Sequence, residues 1–323
     1  MDIARIRTFR VVAELLNYRK AAQQLHLTQP AVTAQIQSLE QGIGIALFNR
    51  VGRGVALTKA GEVLLSYARR MEILNNEAAA ALSAIGSQEE FEIGLGASHT
   101  LAVYLLPRLL PSLLASWPKL RIHIHAGSTS EVLDAISTYR ISLGIIEAPG
   151  LRPDLKIEPF GQDELSLIVP VQHRWTGRRT ISAAELAEEN LLLREPGAGM
   201  RRYIEDFFDK HGLRRQLRNS VAMNSTEGIL AAVEAGAGVG FVSYLALEKA
   251  LKLNSVRTVP IEGGPILRPL SIVLHEGPEP QGPVQQLIYL LRQYAVSRSQ
   301  EFVARPTEGR RINAGVTQSI RHG

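Results

Sequence analysis

The chain contains no cysteine, which removes disulfides, thiolate metal sites and thiol nucleophiles together and agrees with a reducing compartment. No segment approaches the roughly 20 uninterrupted apolar residues of a membrane helix. The N-terminus lacks the basic flank, apolar run and small-residue cleavage site of a secretory leader. These absences predict a soluble cytoplasmic protein with no membrane partner. Also missing are Gly-x-Ser-x-Gly, a Walker loop, His-Glu-x-x-His and paired catalytic carboxylates, so no catalytic residue, metal or cofactor is expected. What remains is 323 residues, 45% of them apolar, enough for two or three domains.

Charge is unevenly spread. Residues 1–60 carry eight Lys or Arg against three Asp or Glu, which accounts for the whole net charge of +5. Beyond residue 60 the 28 basic and 28 acidic groups cancel. A basic head on a neutral body predicts that the head meets a polyanion.

Within that head, Ile3, Ile6, Phe9, Val12 (or Ala13) and Leu16 recur at helical spacing and describe one buried stripe. A short second helix holds Ala21, Ala22 and Leu25, and His26-Leu27 turns into a third. Thr28 is placed to cap that third helix, with Pro30 in its first turn. The helix is expected to run to about Gln41, burying Ala31 or Val32, Ile36 and Leu39 and turning Thr28, Gln29, Thr33, Gln35 and Gln37 outward. Such side chains at a helix start can bond base edges in a major groove. Residues Asn49 to Leu57 read as a wing, from which Arg50 and Arg53 would reach flanking phosphates or the minor groove of double-stranded DNA, with Arg19 on the second helix a further DNA contact.

A long helix is expected from residue 59 to 86, with Thr58 as its cap. Leu64, Tyr67, Met71, Leu74, Ala78, Ala81 and Ile85 alternate by four and three, a seam that implies a second copy of the chain. Gly86-Ser87 then opens a hinge. From Phe91 onward short strands alternate with helices, which predicts a parallel sheet covered on both sides. A helix is expected over Tyr104 to Trp117, and separate strands over Leu155 to Phe160 and Leu165 to Val169. A strand at Leu270 to His275 returns the chain to a first lobe, leaving a cleft between two lobes. Ligands in such sheets sit beyond the carboxyl ends of strands, where helices begin. The turns at those places hold Ser98, His99 and Thr100, then Ser128 and Thr129, Glu147, Arg194, Gly199 and Arg201, and Ser225 and Thr226. Hydroxyls, helix starts and two arginines predict a small anionic effector. Trp175 reads as a surface or interface aromatic, and the glycine run Gly236 to Gly240 as a tight helix-to-strand connection. The tail from residue 298 shows almost no apolar periodicity and is expected to be disordered.

The residues carry a family resemblance. Ala21-Ala22-Gln23-Gln24-Leu25, Thr28-Gln29-Pro30-Ala31-Val32-Thr33, Gln35-Ile36, Leu39-Glu40, Leu47-Phe48 and Leu57-Thr58-Lys59-Ala60-Gly61 resemble the winged helix-turn-helix of the LysR-type transcriptional regulators. Ala34 stands where family members often carry a basic residue, which places base contacts more on Gln29, Thr33 and Gln35. The body resembles the effector domain of the same regulators. Tyr104-Leu105-Leu106-Pro107, Glu147, Glu158-Pro159-Phe160, Asp163-Glu164-Leu165, the run Leu193 to Gly199 and the run Ala235 to Gly240 are similar to the group that includes the sulfite-reductase activator of bacilli and the carbon-fixation regulators. Met200 replaces the threonine common in that group, although Arg201 remains.

The resemblance implies an α/β chain in three parts. A winged helix-turn-helix spans 1–58 and a linker helix 59–86. A two-lobed periplasmic-binding-protein-like effector domain spans 91–297, with lobe I over 91–161 and 269–297 and lobe II over 162–268. It implies a homodimer that assembles into a tetramer and meets RNA polymerase at the promoter. The effector is either an inorganic sulfur anion or a small carboxylate or phosphate metabolite, and the target genes serve sulfur assimilation or, alternatively, carbon fixation. Two other classes use the same body: a solute-binding or transport component, and an enzyme built on Ser98, His99, Glu147 and Arg201.

Overall fold

In the computed structural model, which describes residues 2–51, 54–83, 91–147, 152–196, 198–277 and 279–304, each helix of the head starts on a side-chain cap. Asp2 accepts from the Ala4 amide and opens α1 (Ile3–Leu15), Asn17 opens α2 (Tyr18–Gln24), and Thr28 opens α3 (Gln29–Ile43). His26 adopts a left-handed φ of 54° in the turn between the last two. Ile6, Phe9, Val12, Ala21, Ala22, Val32, Ile36 and Leu39 close on Leu47 as a small core. Ile3 and Leu16, placed in the stripe by their spacing, are exposed at the helix ends, where no facing helix covers them.

The wing is the antiparallel pair β1 (Phe48–Val51) and β2 (Gly54–Leu57). Glu40 pins it to α3, its carboxylate accepting from the amides of Leu47 (2.7 Å) and Phe48 (3.2 Å). Thr58 then opens α4 (Lys59–Ser83), accepting from the Gly61 amide and donating to the Ala46 carbonyl. Gly61 is required there, since a Cβ would stand 2.2 Å from the Leu47 carbonyl oxygen. On α4, Tyr67, Met71, Leu74 and Ala78 are exposed. Leu64 departs from the expected seam: it packs half-buried against the head, whose core also takes Ala68. Ile85, the Ala81 side chain and the hinge at Gly86-Ser87 lie outside the described residues.

The body begins with β3 (Phe91–Ser98), α5 (His99–Tyr104) and α6 (Leu106–Ser116). The helix expected over Tyr104 to Trp117 is α6, and α5 before it was not expected. Pro107 has no amide for the Val103 carbonyl, so the helical ladder breaks there. β4 (Leu120–Gly127), α7 (Thr129–Ser137) and β5 (Leu143–Ile146) complete the first lobe's parallel strands. β6 (Leu155–Pro170) runs unbroken where two strands were expected, and carries the chain into the second lobe. That lobe holds α8 (Ala183–Ala187), β7 (Leu191–Arg194), α9 (Gly199–Lys210), β8 (Val221–Met223), α10 (Thr226–Glu234), β9 (Val239–Ser243), α11 (Leu247–Lys252) and β10 (Val256–Thr258). β11 (Ile266–His275) returns antiparallel to β6, and α12 (Gly282–Ala304) covers the first lobe.

Among the described residues the strands make one nine-stranded sheet, in the order β4-β3-β5-β11-β6-β9-β7-β8 with β10 beside β6. It is mixed rather than parallel, because the two crossing strands oppose their neighbours. Their register shifts once, leaving Phe160 unpaired between Pro159 and Gly161, and such a bulge bends a strand pair. Trp175, expected at the surface or an interface, is 1% exposed in the second lobe's core. The connection after α10 is tight as expected, for a Cβ on Gly238 would meet the Asn190 carbonyl at 2.2 Å. α12 continues through Ala304, past the point where the tail was expected to lose order. No glycine or proline interrupts it between Pro283 and Pro306.

Candidate functional site

Two sites emerge, one on the head and one between the lobes. On the head, Thr28, Gln29 and Pro30 stand exposed at the start of α3, with Gln37 exposed farther along. Thr33 is half-buried and donates its hydroxyl proton to the Gln29 carbonyl at 3.0 Å, keeping its lone pairs. Gln35 does not face outward as expected. It is half-buried, and its side-chain carbonyl accepts from the buried Thr8 hydroxyl at 2.6 Å, which ties α3 to α1. Arg19, Lys20 and Arg50 are exposed cations on this head, while Arg53 lies outside the described residues. Arg10 points the other way, pairing with Glu14 and with Glu72 of α4 at 2.6 Å each. Arg69 of α4 pairs with Glu14 at 3.0 Å, so the head and linker helix are braced together. Burial holds the Glu72 carboxyl above its ordinary range against the pull of Arg10.

Between the lobes, the carboxyl ends of adjacent parallel strands bring the sequence-predicted residues to one edge of each lobe. Ser98 ends β3, Thr129 follows β4 and Glu147 follows β5; opposite, Arg194 ends β7 and Thr226 follows β8. Gly199 sits so close to the first lobe that a Cβ there would lie 3.7 Å from the Thr129 hydroxyl. The N-termini of α7 and α9 therefore meet across the cleft, where unpaired amides favour negative charge. Ser98, Thr100 and Thr226 are buried, His99 and Ser128 exposed, Gly199 and Ser225 half-buried. Ser128 and Ser225 use their hydroxyls as caps of α7 and α10, whereas the hydroxyls of Ser98 and Thr226 are buried and have no hydrogen-bond partner among the described residues.

Both predicted anion-binding arginines are already engaged. Arg194 binds Glu195 through two nitrogens at 2.8 and 2.9 Å. Arg201 donates to Glu205 at 2.8 Å and to the Arg194 carbonyl at 2.7 Å. A neighbouring carboxylate thus balances the charge of each.

The floor holds residues that spacing did not reveal. Arg268 and Asp163 face each other in the register of β11 and β6. Arg268 Nε donates to Asp163 Oδ2 at 2.8 Å, the Ser243 hydroxyl donates to Oδ1 at 3.0 Å, and Arg268 Nη2 lies 3.1 Å from Glu147 Oε1. Burial pushes the Asp163 carboxyl upward, against the pull of Arg268. Tyr203 on α9 lies within electrostatic reach of Arg268 and Glu147, which sets the second lobe against this floor. Contacts that span the lobes include Arg108 with Glu248 at 2.7 Å and with the Leu245 carbonyl at 3.4 Å, and the Tyr104 hydroxyl faces Glu227. Burial raises the Tyr104 hydroxyl above its usual range, and Glu227 adds to the rise. A separate open hollow of about 370 Å³ beside Arg108, lined by Leu245, Lys249, Lys252 and Leu253 among others, contains none of the predicted effector residues.

Comparison with known proteins accounts for both parts of the chain. Residues 3–62 match the bacterial regulatory helix-turn-helix protein of the lysR family, and residues 86–296 match the LysR substrate binding domain. The chain belongs to the LysR family of transcriptional regulators. A probable RuBisCO transcriptional regulator of Phaeodactylum tricornutum is 31% identical to the regulator over 275 residues, 84% of this chain and 90% of that one. The HTH-type transcriptional regulator CysL of Bacillus subtilis is 32% identical over 268 residues, 83% and 89% of the two chains. A full-length cysteine-to-aspartate variant of OxyR from Pseudomonas aeruginosa shares the fold with a TM-score of 0.70 at 22% identity, covering 91% of this chain and 94% of that one. Full-length CbnR complexed with its target DNA shares it at 0.61 and 24%, covering 91% and 100%.

The regulator is accordingly a DNA-binding protein with an effector-binding domain. Among the described residues, no helix is long and apolar enough to cross a membrane.

Proposed function

We propose that the regulator senses a small anionic metabolite in the cleft and passes its occupancy to the paired heads on promoter DNA. The observation that carries this reading is the meeting of the α7 and α9 N-termini at Thr129 and Gly199, beside the unpartnered buried hydroxyls of Ser98 and Thr226. With Arg194 and Arg201 neutralised, backbone amides and hydroxyls bind the anion. Gln29 and Thr33 read base edges, and Arg19 and Arg50 hold phosphates. The exposed face of Tyr67, Met71, Leu74 and Ala78 joins two copies. The target genes serve assimilation, of sulfur as the likeness to CysL supports, or of carbon as the likeness to the RuBisCO regulators supports.

Substitutions separate the two sites. Ser98→Ala and Thr226→Ala should abolish the ligand-induced rise in melting temperature while leaving affinity for promoter DNA intact. Gln29→Ala and Thr33→Ala should do the reverse, each lost base contact costing about 1–3 kcal/mol. Loss of both activities in every variant contradicts the division.

A further inference from the structure

Helix α3 carries no cation. Its 15 residues include no Lys or Arg, and its one charged side chain, Glu40, is taken up by the amides of Leu47 and Phe48. The commonest base-specific contact, an arginine or lysine on guanine O6 and N7, is therefore closed to α3. Thr33 is restricted as well. Its hydroxyl proton goes to the Gln29 carbonyl, so toward DNA it can only accept, and the major-groove groups that suit an acceptor are the amines of adenine and cytosine. Gln29, exposed at the helix start, matches the paired donor and acceptor of adenine.

Ala34 occupies the centre of the outward face. Val32, Ile36 and Leu39 turn α3 toward the core of the head, and Ala34 lies roughly 200° around the helix from both Val32 and Ile36. Pro30, Gln37 and Gln41 share this face with it, and all four are exposed. A helix lying in the major groove points such a face at the base edges. An alanine methyl neither donates nor accepts, so a polar base edge beneath it loses water and gains no partner. The one apolar group on the major-groove edges is the 5-methyl of thymine. We infer that Ala34 is a specificity-determining residue whose methyl packs on the 5-methyl group of a thymine in each half-site, beside the bases read by Gln29 and Thr33. This deepens the proposed function and rests on α3 being the helix that reads bases.

The test begins with selection of bound sequences from a random duplex library by the full-length protein. In the most enriched duplex each thymine is then replaced singly by uracil, which removes only the 5-methyl group. At one thymine per half-site, uracil should weaken binding about fourfold, the worth of one buried methyl. Ala34→Gly should erase that penalty and leave any uracil penalty at other thymines unchanged. Ala34→Arg should move the selected base at the same position to guanine, and this arm decides the matter should the glycine variant fold poorly. A penalty at no thymine, a penalty that persists in Ala34→Gly, or an unchanged base at that position in Ala34→Arg overturns the Ala34 contact. If Gln29→Ala still alters the selected sequence, α3 stands as the base reader without it. Identical selected sequences from Gln29→Ala, Ala34→Arg and the unmodified protein overturn the α3 reading and the Ala34 contact together.

Discussion

Arg268 is 1% exposed and balances two carboxylates, so its loss should weaken the fold before it weakens recognition. Arg268→Met leaves Asp163 and Glu147 buried without a counter-charge, which should cost about 3–5 kcal/mol in urea unfolding. Adding Asp163→Asn and Glu147→Gln to the same chain should recover most of it. Unchanged stability in the single variant would show that the three charges are not coupled. At this scale local chemistry was legible and long-range pairing was not. Thr28 announced its cap, because a hydroxyl before an apolar-periodic run has one obvious use. The partner of Gln35 is Thr8, on another helix, and that of Arg268 is Asp163, on a strand from the far side of the second lobe. Arg194 and Arg201 teach the opposite lesson. Their carboxylate partners Glu195 and Glu205 lie one and four residues away, at spacings that local geometry can bridge.

Among elements, periodicity located most strands and helices of the body but not the short α5, α8, α11 and β10. Pro107 lies in the first turn of α6 and separates it from α5, and β6 hides its continuity because a bulge at Phe160 interrupts the alternation. The placement of α4 was beyond reach, since it depends on a three-group stack from distant segments. Arg70 lies over the Tyr139 ring at 5.7 Å, and Tyr139 stacks on His275, at the end of β11, at 3.6 Å and 4°. Burial holds the His275 imidazole below its ordinary value and Arg70 lowers it further, against a hydrogen bond to the Ile136 backbone. An unfolded histidine titrates near 6.5, so below that pH the native protein binds fewer protons than the unfolded one. The stabilisation is complete above about pH 6.5 and is lost as pH falls through the native value. Denaturation midpoints should therefore decline more steeply between pH 7 and pH 5 in the unmodified protein than in His275→Gln. Equal slopes would mean that this imidazole does not contribute.

In the whole molecule, α4 joins the head to the first lobe. Arg69 and Glu72 hold it to α1, and Arg70 holds it to Tyr139. The lobes have largely separate cores and are connected by two strands bent at one bulge, with Tyr104–Glu227 and Arg108–Glu248 spanning the gap. A ligand that binds one lobe arrangement better than another must shift the population toward it, and only by its difference in affinity. Because the first lobe grips α4, such a shift reaches the heads. The most direct measurement is energy transfer between dyes at the two ends of a promoter duplex bound by the full-length regulator. A saturating cleft ligand should change the transfer efficiency, and the change should vanish in Ser98→Ala while that variant still binds the duplex. Identical efficiency with and without a ligand shown to occupy the cleft would contradict coupling between the cleft and the heads.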